Sequence, residues 1–163
     1  MTADVLDESI QLLRKYKKLG EGAMAQVSDD ELLHRLDEEG NGIAHIVKHL
    51  NGNMRSRWTD FLTTDGEKPD RDRRAEFELA EGIARETVYA WWEEGWAVVF
   101  AAVEPLDHPD LARSVTIRGE PLSVMQAILR QLTHYAYHVG QIVHLAKHFR
   151  ASGWQTLSHP KQV

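Results

Sequence analysis

His134-Tyr-Ala-Tyr-His138 lies within the run from Pro121 to Arg150, and the reading of that run decides the fold. Apolar residues recur at Ile128, Leu132, Tyr135, Val139, Ile142, Val143, Ala146 and Phe149, a helical spacing that predicts one long helix. Histidines four apart on a helix lie on one face, a turn from each other, so two imidazoles can grip one divalent ion. His134 and His138 fall on the flank of the apolar stripe, roughly 90–130° from its centre by helical geometry. A flank faces the groove between neighbouring helices, and Gln141 continues it one turn on. The competing reading is two half-exposed polar residues, because nine histidines in one chain make such pairs common by chance.

Working outward, Ile43 to Leu62 repeats the pattern, with Ile43, Ile46, Val47, Leu50, Met54, Trp58, Phe61 and Leu62 on one stripe. His45 and His49 again stand four apart. His49 lies on the flank, in line with Asn53, Ser56 and Asp60, and His45 lies further round toward solvent. If the two flanks meet, His49 completes a site with His134 and His138. Three neutral imidazoles leave positions open for water or substrate, the pattern of a catalytic zinc site. Periodicity alone leaves His45 as an alternative third ligand. His144 and His148 read as solvent-exposed, and His148 is too far along the helix to share an ion with His134. Glu31-Leu-Leu-His34 has the form of a di-iron Glu-x-x-His element, but the later helices hold no second one. His108 and His159 fall in loops.

The rest of the chain supplies the other helices. Residues 4–26 carry Val5, Leu6, Ile10, Leu13, Tyr16, Leu19 and Met24 at helical spacing. Ser28-Asp-Asp-Glu31 is a capping box that should open a short helix through Leu36, and Asn41 is a candidate N-cap for the helix that follows. Gly66 and Pro69 mark a loop, and residues 67–79 form a long charged connection. Helix returns from Ala80 to Val103 with a wide apolar arc that includes Trp91, Trp92, Trp96 and Phe100. Such an arc fits either a helix central to its own monomer or a dimer seam. Around Gly119-Glu120 a short strand pair is expected, with Pro121 then opening the last helix. The tail, 154–163, reads as loose apart from Trp154. The plan is a single all-α domain over residues 1–163, a four-helix bundle with a long crossover between its second and third main helices.

Composition narrows the chemistry. The chain has 163 residues and no cysteine, so thiolate ligands, disulfides and cysteine nucleophiles are excluded. Imidazole ligands suit zinc, copper, iron and nickel. A net charge of −6 argues against nucleic acid and anionic membrane as partners. The N-terminus lacks the basic and apolar regions of a signal peptide, and every apolar run is too short to span a membrane. A cytoplasmic protein is the expectation.

His134-Tyr-Ala-Tyr-His138-Val-Gly-Gln141 and Ile46-Val-Lys-His49-Leu resemble the two-histidine and single-histidine segments of the DinB-like (YfiT-like) superfamily of metal-binding bundles. The run from Lys48 to Pro69 is similar to one uncharacterised branch of it. The resemblance implies an up-down-down-up bundle, frequent homodimers, and zinc or nickel held by His49, His134 and His138. His45 is a neighbouring histidine that the family pattern does not require. Some relatives are transferases using a low-molecular-weight thiol, bacillithiol or mycothiol, and others are isomerases or hydrolases. The functional expectation is a metal-dependent thiol transferase. The alternatives are a metal-dependent hydrolase or a non-catalytic dimer that binds metal or a small ligand. Asn53 and Gln141 are candidates to orient a reactant, and Glu67 or Asp70 of the crossover to approach the mouth. Arg55, Arg57 and Arg71 either hold a substrate carboxylate or are solvated or salt-bridged, the commoner fate of arginine.

Overall fold

The computed structural model describes residues 4–158. Four long helices and one short one form an all-α bundle with a small hairpin: α1 (Val5–Met24), α2 (Asp29–Leu33), α3 (Ile43–Trp58), α4 (Arg85–Val103) and α5 (Val124–Arg150). α1 packs along α5 and α3 along α4, and α3 also meets α5. That last contact brings the two histidine-bearing flanks together.

The apolar stripes form one core. Leu13 and Met24 of α1, Ile46, Leu50 and Met54 of α3, Trp92 and Trp96 of α4, and Ile128, Tyr135 and Ile142 of α5 are all buried. Trp58 Nε1 donates to the Tyr135 hydroxyl at 2.8 Å, which ties α3 to α5 inside the core. Gly20 lies where Trp92 crosses α1; a Cβ there would overlap the indole ring. A glycine that weakens the helix by propensity is what admits the largest side chain of the facing helix. In α4, Val88, Trp92, Trp96, Val99 and Val103 are buried within the monomer. Much of the wide apolar arc is therefore accounted for by the protein's own core.

Several element ends differ from expectation for local reasons. α2 opens with the expected Ser28–Glu31 capping box but stops at Leu33, because His34 is extended. The N-cap of α3 is Gly42, not Asn41, and a side chain at 42 would strike the His34 carbonyl. α3 stops at Trp58: Thr59 is extended and Asp60 has φ 48°, so Phe61 reaches the core from outside the helix. α4 begins at Arg85 rather than Ala80, after Gly82 at φ 72°.

The hairpin pairs β1 (Ser114–Ile117) with antiparallel β2 (Glu120–Ser123), turning at Arg118-Gly119, both at positive φ. Pro121 is a β2 residue facing Thr116 and does not open the last helix. Ser123 does so instead, with a capping box to Gln126. Of the tail, Gln155 is tied to Gln26 by hydrogen bonds and Leu157 packs against the core, so residues 154–158 are less loose than expected. Residues 159–163, including His159, lie outside the described range.

Candidate metal centre

α3 contributes His49 and α5 contributes His134 and His138, and one ring nitrogen from each lies within 4.8 Å of the other two. His49 is buried; the other two are half-buried. The Nε2 atoms of His134 and His138 are 3.1 Å apart. Two imidazole nitrogens on one tetrahedral ion with ordinary bond lengths stand ~3.3 Å apart. The three rings meet edge to face, with His49 centred 5.5 Å from His134 and 4.8 Å from His138.

Neighbouring groups fix which nitrogen is free. His49 Nδ1 lies 2.8 Å from Glu76 Oε2. An ionised carboxylate only accepts, so Nδ1 carries a proton, and Nε2 is the nitrogen left to face an ion. His138 Nδ1 likewise faces Gln141 Oε1 at 2.8 Å, which leaves Nε2 as the lone-pair atom. Ligating histidines commonly donate their other N–H to a carboxylate or carbonyl in this way. Burial, with the charges of His138 and His49, lowers the His134 pKa to about 3. Burial also lowers His138, to about 4, against the raising effect of its Gln141 hydrogen bond. Both rings are thus neutral at pH 7, the state a ligand requires. His134 Nδ1 is buried without a partner among the described residues. The donor set is nitrogen alone, which suits a first-row transition ion.

The crossover supplies the support. Glu76 (6% exposed) sits in a single 3₁₀ turn, Ala75–Phe77. It accepts from Arg71 Nε at 2.7 Å and from Arg71 Nη2 at 3.0 Å, as well as from His49. Burial pushes the Glu76 carboxyl up, but its hydrogen bonds to His49 and Arg71 win and hold it below the ordinary range. Phe77 stacks on the His49 ring at 4.6 Å. Glu67 joins the same network, paired with Arg57 at 2.9 Å, Arg71 at 3.3 Å and Arg118 at 2.8 Å. No helical period or motif in the sequence marks Glu76 or Phe77 as part of the site. The one signal was the alternation of acid and base at Glu67, Arg71 and Glu76.

The remaining candidates lie elsewhere. His45 is buried, not turned to solvent, and lines a separate cavity with Leu33, Arg35 and Phe77. His144 and His148 are exposed, and His34 is exposed beside the Phe149 ring. Arg57 and Arg71 are salt-bridged, and Arg55 is exposed near Glu94 at 3.6 Å. Asp70 is exposed and lines a different hollow. Asn53 and Gln141 do flank the cluster, the first across an adjoining cavity and the second through His138.

That cavity, about 390 Å³, opens directly on His49 and His134. Among the described residues, no aspartate or glutamate lines it. An all-α bundle with three convergent imidazoles on an open hollow is a protein with a candidate metal centre of the accessible kind. The chain belongs to the family described as protein of unknown function (DUF1572), whose model matches residues 1–163. No curated protein and no solved structure matches it. Among the described residues, no helix is long and apolar enough to cross a membrane.

Proposed function

We propose that this chain is a DinB-like single-domain bundle whose His49, His134 and His138 bind one zinc or nickel ion for metal-dependent thiol transfer. The observation that carries the reading is the convergence of three imidazole nitrogens beside an open cavity. A bound ion of this kind supplies a Lewis acid that stabilises a low-molecular-weight thiol as its thiolate. The protein's own part is to orient the three imidazoles and to keep His134 and His138 neutral. Glu76 fixes the His49 tautomer and Gln141 fixes that of His138.

The cavity lining favours a thiol over water as nucleophile. The carboxylates of the supporting network are committed, Glu76 to His49 and Arg71 and Glu67 to three arginines, which leaves neither free to take a proton from an attacking water. A thiol starts from a much lower pKa than water, so it ionises on the ion with less help from a base. A homodimer accompanies this reading as an expectation of the resemblance, and a cytoplasmic location as an expectation of the sequence.

The test uses tag-free protein loaded with zinc or nickel and offered thiol cofactors with electrophilic acceptors. Thiol consumption that requires metal, and disappears in His134→Ala, supports transfer. Ester or amide hydrolysis without thiol would replace it with the hydrolase reading. Full metal loading with neither activity would leave a non-catalytic metal-binding protein.

A further inference from the structure

We propose that the cavity beside the three histidines is an anion-binding pocket, so that the small molecule it takes carries a carboxylate or phosphate recognised by Arg73 and Arg130. For the metal-binding end of that molecule the inference rests on the function proposed above; for its anionic end it stands alone.

The charge distribution is the first support. The chain has a net charge of −6, yet Arg57, Arg71, Arg73, Arg118 and Arg130 all line this one hollow, with no carboxylate on its wall among the described residues. Glu67 and Glu76 neutralise part of the cluster by pairing with Arg57, Arg71 and Arg118. Arg73 and Arg130 have no ion-pair partner among the described residues, and both are exposed at the rim. They come from separate elements, the crossover and α5, so the fold sets two unpaired cations around one hollow. A cleft lined by one sign of charge concentrates ions of the other.

The second support is independent of charge. Asn53 and Gln131 line the same cavity and are buried to 5% and 3% exposure. The amide oxygen of each is sealed from solvent without a partner among the described residues. Neither amide nitrogen is among the sealed, unpartnered atoms, and an N–H donor suits an anionic oxygen. The space is near the lower end for ligand pockets, which fits a small metabolite rather than a peptide.

The test is calorimetric titration of protein stripped of metal by chelator, so that no probe can ligate an ion. The probes are inorganic phosphate, succinate and succinamide, the last matching succinate in shape but uncharged. Phosphate or succinate should bind about tenfold or more tightly than succinamide, and a Arg73→Gln/Arg130→Gln double variant should lose about that factor. The tighter of the two anions identifies the class. Both substituted residues are exposed, so the variant should fold, as circular dichroism would check, and it should load the same amount of metal as the parent. Equal binding of succinate and succinamide, or anion binding unchanged in the double variant, overturns the proposal. Failure of the parent to load metal, with the anion preference intact, would overturn the metal reading and uphold this one.

Discussion

Replacing Glu76 by alanine is the most revealing perturbation of the site's support. The carboxylate is buried and accepts hydrogen bonds from two partners at once, His49 and Arg71. Its loss leaves the Arg71 guanidinium, only 4% exposed as a side chain, with the 3.3 Å contact to Glu67 as its one ion pair among the described residues. Removing one member of a buried ion pair costs roughly 3–5 kcal/mol. Here Glu67 offers partial compensation, so a loss of about 2–3 kcal/mol is expected. At about 2–4 °C per kcal/mol for a chain of this size, the melting temperature should fall by roughly 4–12 °C. The second effect is on the ion. Without Glu76 the His49 tautomer is no longer fixed, and loss of such a support typically lowers metal affinity by about 10–100-fold. The assay pairs urea unfolding of metal-free protein with a competitive zinc titration against a chromophoric chelator. Glu76→Gln should recover part of the affinity, since its amide oxygen can still accept from His49 Nδ1. An alanine variant that binds zinc as tightly as the parent would refute the role given to Glu76, whatever its stability.

Two further outcomes follow from the same network. Gly52→Ala should lower zinc affinity in the same direction as Glu76→Ala but less, because the new Cβ would stand 2.7 Å from the Glu76 carboxyl carbon and push it off His49; an unchanged zinc titration would contradict this. Burial raises the Glu67 carboxyl, but its bonds to Arg118 and Arg57 and the charges of Arg57 and Arg71 dominate and bring it to about 2. The unfolded chain therefore takes up the proton first as pH falls. The stabilisation is complete above the ordinary carboxylate value of 4.5 and is lost as pH drops toward about 2. After allowance for solvent screening it is on the order of 1 kcal/mol. The stability gap between parent and Glu67→Gln should accordingly narrow between pH 5 and pH 2.5 in urea titrations, and a constant gap would count against it.

The parts of the site legible in the sequence were those carried by helical period. His134 and His138 could be paired because one helix fixes their spacing. His49 was placed on a flank, but that this flank meets the other depends on α3 packing against α5, and periodicity left His45 open as the third ligand. The structure separates the two: His49 joins the cluster and His45 lines another cavity. Glu76 was invisible because it stands in one 3₁₀ turn of an irregular crossover, where no repeat signals which side chain turns inward. Element ends were misjudged where two local preferences compete. Pro121 suits a first helical turn but also tolerates a two-stranded edge, and the Ser123 capping box settled the start of α5. Asn41 is the better cap by type, yet close approach of the His34 carbonyl demands the bare backbone of Gly42.

X-ray absorption on tag-free protein loaded with zinc, and in parallel with nickel, addresses the three-histidine centre most directly. The account predicts one ion per chain with three imidazole nitrogens; for zinc they should lie at about 2.0–2.1 Å. Retention should be lost in His49→Ala, His134→Ala and His138→Ala alike. Failure to retain either ion, or retention that survives the change at position 49, would contradict it.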